Sequence, residues 1–338
     1  MFIKGIINCY YWKMSSITSK APPAPRILEV DASHEGQRID NFLMTSLKGV
    51  PRSHIYRVLR TGEVRVNKGR IKPTYRVQEG DLVRIPPIHT AEPGAVANPG
   101  ARVLELISKS IIYEDKGLII INKPSGIAVH GGSGLSYGVI EALRIARPDA
   151  PNLELVHRLD RETSGCLMIA KKRSVLRGLH DLLRGDREDS GAVDKRYLAL
   201  VQGRWEGGRQ TVNASLLKNQ LSSGERIVRV SDTGKESVSL FQPQAIYAQA
   251  SLVEVRPLTG RTHQIRVHAA HIERPIAGND KYGNEDFNKR MADLGLKRLF
   301  LHAHSLSFEL PDTGQQISVN APLGDELKAV LQRVSQDA

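Results

Sequence analysis

The sequence predicts an α+β protein of two domains, the larger built on a mixed, largely antiparallel sheet with flanking helices. Length is the first reason, because 338 residues suffice for two hydrophobic cores. The second is the pattern after residue 102, where short apolar runs typical of strands are mixed irregularly with a few helical patterns. The third is a stretch rich in Pro, Gly and Ala at 87–101, which is typical of a linker.

The first predicted domain, residues 27–86, follows an arm at 1–26 whose Ser, Pro and Ala content indicates disorder. Apolar residues recur at helical spacing in QRIDNFLMTSL and again in SHIYRVLRTG, where Gly62 is a suitable C-terminal stop. EVRVN and DLVRIP then predict two short strands. We therefore expect a compact unit of two helices followed by strands.

The second predicted domain, residues 102–338, carries the longer apolar runs. Because its strands and helices do not alternate regularly, a doubly wound parallel sheet is disfavoured. GGSG at 131–134 lacks the Gly-Lys-Ser/Thr ending of a P-loop. The strand patterns are IIYED, GLIIINKP, CLMIAKK, RYLALVQG and ASLVEVRPL, and the helical patterns are SYGVIEALRIAR, SVLRGLHDLLR and DELKAVLQRV.

Positive charge is concentrated in the first domain. The chain has 48 Lys and Arg against 36 Asp and Glu, a net charge of +12. Residues 35–86 alone hold eleven Lys and Arg against five Asp and Glu, a net charge of +6. Such an excess favours a polyanionic partner through phosphate contacts. The expected phosphate-binding side chains lie on the second helix and the adjoining strand and turn: Arg52, Arg57, Arg60, Arg65, Lys68 and Arg70.

Composition excludes several other classes of protein. Cys9 and Cys166 lie far apart without metal-ligand spacing, which excludes a disulfide framework and a zinc ribbon and fits a reducing cytoplasm. The apolar patch in MFIKGIINCYYWK is too short to span a bilayer and lacks the features of a signal peptide. We expect a cytoplasmic protein without a membrane partner.

The stretch HRLDRETSG at 157–165 places Asp160 between two arginines, ahead of a hydroxyl pair and a glycine. By itself this pattern fits either a salt-bridged turn or a reactive carboxylate on a nucleic-acid surface. Four further stretches accompany it: NKPSGIAVHGG at 122, DKRYLALVQG at 194, LTGRTHQIRVHAAHIERPIAGNDKYG at 258 and LFLHAHSL at 299. In order and spacing they resemble the RluA-type family of RNA pseudouridine synthases, and the resemblance runs from about residue 27 to the end.

The resemblance implies an S4-like α-L RNA-binding domain at 27–86, to which the basic residues would belong, and a pseudouridine synthase catalytic domain at 102–338. QRIDNFL, GVPRSHIYRVLRTGEVRVNKGRIKP and DLVRIPP resemble the C-type subfamily, which acts on 23S ribosomal RNA. The implied enzyme is an isomerase. It breaks the N1–C1′ bond of a uridine, turns the uracil and rejoins it through C5, so no cofactor is expected. The expected partner is ribosomal RNA, and the expected state is a monomer.

The resemblance also assigns the site. Asp160 matches the reacting carboxylate, Arg266 of HQIRVH its arginine partner, and Tyr197 of KRYLALVQG the tyrosine that stacks on the uracil and assists removal of the C5 proton. Ile265 matches an apolar wall of the pocket, and Arg158 the arginine that fills the gap left by the flipped base. Attack at C1′, attack at C6 and a glycal route are all compatible with these residues.

Other functions remain open at this point. A nucleoside glycosidase-like hydrolase also acts at C1′ but normally uses two carboxylates, and Glu162 is the near neighbour of Asp160. A non-catalytic RNA-binding or ribosome-assembly protein would account for the basic first domain alone.

Two further groups of residues have simpler interpretations. A metal site can be imagined at His263, His268 and His271, but no carboxylate motif joins them and the isomerisation has no use for a metal, so none is expected. The adjacent Lys195 and Arg196 are interpreted as phosphate contacts or as solvated surface.

Overall fold

The computed structural model describes residues 25–47, 50–88, 99–131, 137–150, 152–185, 193–220 and 226–337. The chain divides into two compact units, Met1–Ala95 and Val96–Ala338. The predicted disordered arm falls almost wholly outside the described residues, as does most of the predicted linker. The first strand begins at Arg26, and a helix begins at Gly100, within the stretch predicted as linker.

The first unit packs two helices on a four-stranded antiparallel sheet of order β1-β4-β2-β3. The predicted helical spacing is confirmed, since the apolar residues of both helices are buried in one core with Val66, Val83 and Ile85. Asn67 and Lys68 both have positive φ, as a tight hairpin turn between β2 and β3 requires. The elements are β1 (Arg26–Glu29), a 3-10 turn (Ala32–His34), α1 (Ile39–Ser46), α2 (Arg52–Arg60), β2 (Arg65–Val66), β3 (Gly69–Arg70) and β4 (Leu82–Ile85).

The second unit contains every strand and helix predicted from its apolar patterns, together with several that the patterns did not predict. Its helices are α3 (Gly100–Lys109), α4 (Val139–Ala146), α5 (Arg173–Arg184), α6 (Gln264–His271), α7 (Glu285–Asp293) and α8 (Asp325–Gln336). Its strands are β5 (Ile111–Glu114), β6 (Leu118–Lys123), β7 (Glu154–Leu155), β8 (Ser164–Ala170), β9 (Asp194–Gln202), β10 (Gln210–Asn213), β11 (Leu216–Gln220), β12 (Arg226–Val230), β13 (Val238–Ile246), β14 (Ala250–Pro257), β15 (Leu301–Glu309) and β16 (Gln316–Asn320).

The main sheet has ten strands, with a central path β10-β13-β14-β9-β15-β8-β6-β5 to which β16 and β7 are added. Its pairs are antiparallel except for β8 with β15, where His302 lies opposite Ser164 and Ala303 opposite Gly165. The predicted α+β class with a mixed, largely antiparallel sheet is confirmed. The parallel pair matters for function, because it places the start of β8 beside the start of β15.

Helices cover the middle of the sheet. Leu118–Ile121 of β6 and all of β8 are buried, and they share a core with Ile107 of α3, Leu143 of α4 and Leu176 of α5. Strands that are covered on both faces appear in the sequence as continuous apolar runs, which is why these two were predictable. Among the described residues, no helix is long and apolar enough to cross a membrane.

Candidate active site

The first seven residues of HRLDRETSG lie in the loop between β7 and β8, and its Ser164 and Gly165 begin β8. A turn within it is closed by Thr163 N donating to Asp160 O at 3.2 Å. Gly165 has φ +109°, and a Cβ at this position would lie 2.2 Å from Ala303 O of β15. Since only glycine adopts this backbone conformation freely, the motif's glycine lets the loop enter the sheet against β15.

A buried lysine ties this loop to the NKPSG stretch after β6. Lys123 Nζ donates to the carbonyl oxygens of Pro124, Ile127 and Arg161 at 2.8, 2.9 and 3.1 Å. Burial lowers the pKa of Lys123 to about 7, yet only the ammonium form has three hydrogens for these three acceptors. Ser125 Oγ also donates to Glu162 O at 2.7 Å. The two motifs, distant in sequence, therefore form one hydrogen-bonded unit.

Helix α6 brings Arg266 to Asp160. The guanidinium is buried, with Nη1 3.5 Å from Asp160 Oδ2. Its Nε and Nη2 donate to Asn279 Oδ1 at 3.2 and 2.7 Å, and its Cζ lies 5.3 Å from the centre of the Tyr282 ring. Asn279 and Tyr282 thus hold two sides of the guanidinium and leave Nη1 for the carboxylate.

Strand β9 contributes Tyr197, which is half-buried. Burial, followed by the charge of Asp160, raises the pKa of Tyr197 above its usual value, so its phenol is neutral near pH 7. Because side chains alternate along a strand, Lys195 shares the cavity side with Tyr197, whereas Arg196 points to the opposite face. There Arg196 forms ion pairs with Asp194 and Glu254 at 2.9 and 3.2 Å. Lys195 and Arg196, which the sequence analysis treated as a pair, therefore have different surroundings.

All five residues assigned to the site line one cavity of about 300 Å³: Arg158, Asp160, Tyr197, Ile265 and Arg266. Ile265 is buried in its wall, and Arg158 is exposed. Among the described residues that line this cavity, Asp160 is the sole carboxylate. Glu162 instead pairs with Arg161 at 3.5 Å and lines a different cavity, so a second carboxylate for hydrolysis does not stand opposite Asp160.

Sequence reasoning missed His263 as a member of this site. Its Nε2 lies 3.8 Å from Asp160 Oδ2, and its Nδ1 lies 2.8 Å from the Tyr282 hydroxyl. The sequence signal was its place in HQIR beside Arg266, but the residue was considered there only as a metal ligand. His268, by contrast, is buried with Nδ1 and Nε2 bonded to Ser239 Oγ and Ala214 O, both at 3.0 Å. Within the described ranges, no group of three potential metal-ligating side chains lies together.

The basic residues of the first unit are exposed along α2 and the β2–β3 hairpin. Within the described part of the chain, none of Arg57, Arg60, Arg65, Lys68 and Arg70 forms an ion pair with a carboxylate. The Arg52 side chain lies outside the described residues.

Two acids of the first unit are turned inward. Asp40 accepts from Arg38 and Tyr56, and Asp81 accepts from Asn67 and Tyr75. Asp40 neutralises the neighbouring Arg38, and Asp81 is buried among neutral donors, so neither acid is paired with the exposed cations of α2 and the hairpin.

Comparisons with known proteins match both units. Residues 117–271 match the family model described as RNA pseudouridylate synthase, and residues 37–83 match the S4 domain model. A protein of Haemophilus influenzae named ribosomal large subunit pseudouridine synthase C is 56% identical over 312 residues, which cover 92% of this chain and 95% of the relative. Its namesake in Escherichia coli strain K12 is 53% identical over 315 residues, covering 92% and 97%.

One solved structure has a similar fold over about two thirds of this chain. Human RNA pseudouridylate synthase domain containing 4 superposes with a TM-score of 0.57 at 25% identity, covering 69% of this chain and 95% of the human chain.

Proposed function

The chain belongs to the RNA pseudouridylate synthase family, and on that premise we propose that it isomerises specific uridines of 23S ribosomal RNA to pseudouridine. The observation that carries the proposal is a single carboxylate, Asp160, that faces the guanidinium of Arg266 in a cavity it shares with Tyr197. Isomerisation of a uridine needs one reacting carboxylate and a place for the uracil to turn. The relatives' name supplies the large-subunit substrate.

Asp160 is the residue that reacts with the uridine. The N1–C1′ bond breaks, a C5–C1′ bond forms, and the C5 proton leaves while N1 gains one, so the product is an isomer and no water is consumed. Arg266 orients the carboxylate, because its Nε and Nη2 are occupied by Asn279 and its Nη1 faces Asp160. Ile265 provides an apolar wall for the turning ring.

Tyr197 packs against the uracil. A phenol whose pKa is raised by burial is a weak base at neutral pH, so the structure supports stacking by Tyr197 better than removal of the C5 proton. This refines the expectation from the resemblance, which assigned both roles to the tyrosine.

The target base must leave its stack to reach Asp160, which is only 23% exposed. Arg158 is exposed at the cavity, two residues before Asp160, where it can occupy the gap that the flipped base leaves. The exposed cations of the first unit bind the surrounding RNA through phosphate contacts, which supply affinity but no base readout.

Replacing Asp160 tests the proposal. Asp160→Asn should bind RNA as the wild type does and form no pseudouridine, measured as release of tritium from RNA labelled at uracil C5. Asp312→Asn, which removes an exposed aspartate, serves as the matched control and should remain fully active. Activity of Asp160→Asn within about tenfold of wild type would overturn the assignment, because loss of an essential reacting group costs far more.

Mapping of pseudouridines in ribosomal RNA from cells with and without this protein tests the substrate. The sites that vanish would identify the target uridines. An unchanged map would exclude ribosomal RNA as the substrate, and release of free uracil would indicate a glycosidase instead.

A further inference from the structure

His263 has an unusual backbone at the entrance to the site. It immediately precedes α6 with φ +53° and ψ +19°, and its carbonyl accepts from Val267 N at 2.9 Å, which starts the helix. A residue with a Cβ in this left-handed region costs about 1–2 kcal/mol relative to the right-handed region. Backbone strain of this kind persists where the surroundings hold it, and it concentrates at functional sites. Here it accompanies an imidazole that lines the cavity.

Tyr282 fixes the orientation of this imidazole. The Tyr282 oxygen accepts from Val228 N at 3.0 Å and lies 2.8 Å from His263 Nδ1, and the two rings meet edge to face at 5.6 Å. Once the phenol has accepted from the backbone, its own hydrogen is available for Nδ1. When the phenol donates to Nδ1, a neutral imidazole carries its hydrogen on Nε2, the nitrogen that faces Asp160.

The surroundings favour the neutral ring. Burial is the largest influence on the pKa of His263 and lowers it, and the charge of Asp160 opposes this effect. The nearby cations lower the pKa further: Arg266, Lys281 and Arg158. A neutral Nε2–H can donate to a carboxylate without competing with Arg266 for its charge.

Both donors face the same carboxylate oxygen. His263 Nε2 lies 3.8 Å and Arg266 Nη1 3.5 Å from Asp160 Oδ2, so a movement of about 1 Å would turn each contact into a hydrogen bond. Among the described residues, none donates a hydrogen bond to Oδ1. Donors on one oxygen restrict rotation of the carboxylate and leave the other oxygen for the substrate.

We propose that His263 is a positioning residue, held by Tyr282, whose neutral Nε2–H anchors Asp160 through Oδ2 and directs Oδ1 at the uridine. The inference rests on the proposed function, in which Asp160 reacts. His263 would thus anchor Asp160 in addition to Arg266, which gives a role to the strained backbone of His263.

Two substitutions at His263 separate its two nitrogens. Asparagine tolerates the left-handed backbone, and its amide reaches the position of Nδ1 near Tyr282 but not that of Nε2. Glutamine places an N–H near the position of Nε2. His263→Asn should lower the single-turnover rate by about 100-fold, since a misplacement of about 1 Å at the reacting atoms costs that much, while RNA affinity stays unchanged. His263→Gln should recover most of the lost rate.

The pH dependence distinguishes positioning from a purely structural role. A carboxylate that loses a donor is protonated more readily, so His263→Asn should move the acidic limb of the pH–rate profile to higher pH, whereas His263→Gln should not. Tyr282→Phe keeps the ring beside Arg266 but removes the hydroxyl that bonds Nδ1, so that the imidazole hydrogen is no longer held on Nε2. It should move the acidic limb in the same direction as His263→Asn. His271→Asn, on the exposed end of the same helix, is the matched control and should leave rate and profile unchanged.

If His263→Asn and His263→Gln lose the same fraction of the single-turnover rate at every pH, His263 has a purely structural role and the proposal is overturned. If His263→Asn is as active as an active wild type, the positioning role of His263 is overturned, whereas the proposed function is not affected. A wild type that forms no pseudouridine would overturn the proposed function and this inference with it.

Discussion

At the scale of single residues, Arg158 and Asp160 stand two positions apart and are assigned different tasks. We expect Arg158→Ala to slow modification of a uridine in a structured stem much more than that of the same uridine in a flexible strand. The reason is that unstacking a base costs roughly a few kcal/mol, and this cost applies only to a uridine that is stacked in a stem. Single-turnover rates on two short RNAs that share the target uridine and its neighbours, one folded and one not, measure the difference.

Arg209→Ala, which removes another exposed arginine, controls for the loss of one positive charge and should affect both RNAs alike. If Arg158→Ala slows both RNAs by the same factor, Arg158 acts on binding or chemistry, and its role as a wedge must be abandoned.

The buried His302 should make the stability of the protein depend on pH. Burial lowers the pKa of His302 from 6.5 to about 4, and the charge of Arg298 adds to this, although the hydrogen bond between Nε2 and Ala321 O opposes it. The unfolded chain takes up this proton below about pH 6.5, and the folded chain only near pH 4. Stability is therefore full above pH 6.5 and falls as the pH approaches 4, by on the order of 3 kcal/mol for this residue.

Urea unfolding at a series of pH values between about 8 and 4 measures this loss. His302→Gln should be less stable at neutral pH but lose less on acidification, because the titrating group is gone. His271→Gln, which removes an exposed imidazole, should retain the wild-type slope. An unchanged slope in His302→Gln would mean that other groups cause the acid destabilisation.

At the scale of elements, the loop that carries Asp160 depends on the entry of β8 beside β15. Gly165→Ala should cost more than about 3 kcal/mol, because its Cβ would meet the Ala303 carbonyl in a backbone region that only glycine favours. Gly207→Ala is the matched control, since φ is +79° there but no atom lies within 4 Å of the new Cβ. It should cost only about 1–2 kcal/mol. Thermal melts of both variants test this, and equal losses would show that the contact with β15 is unimportant.

The elements also show where patterns lose their predictive power. Strands β6 and β8 were predicted because continuous apolar runs are typical of strands buried on both faces. Helix α6 was not predicted, because Gln264–Ala269 are buried and polar and apolar residues of QIRVHAAH are mixed around the helix, with Arg266 on its apolar side. The helix that holds Arg266 therefore lacks the period by which surface helices are recognised.

At the scale of the whole molecule, we propose that the first unit binds RNA phosphates and the second unit performs the chemistry. A fragment from about residue 90 should fold, bind RNA more weakly than the full chain and show a shallower dependence of log K on log salt. Each lost phosphate contact reduces that slope by about 0.7–0.9. Binding titrations at several salt concentrations measure it.

The full-length variant Arg57→Gln, Arg60→Gln and Arg65→Gln should give an intermediate slope, because it removes exposed cations but keeps the first unit. If the fragment matches the full chain in affinity and slope, the first unit does not bind phosphates.

The sequence by itself determined the family, the α+β class and the residues assigned to the site, because HRLDRETSG, KRYLALVQG and HQIRVH are contiguous stretches. Local periodicity likewise predicted five of the eight α-helices and seven of the sixteen strands that the described residues form. Only the tertiary structure decided that Arg196 turns away from the cavity while Lys195 lines it, and that His263, held by Tyr282, faces Asp160. The physical reason is that these contacts join residues far apart in the chain, and packing rather than local pattern sets which side chains meet.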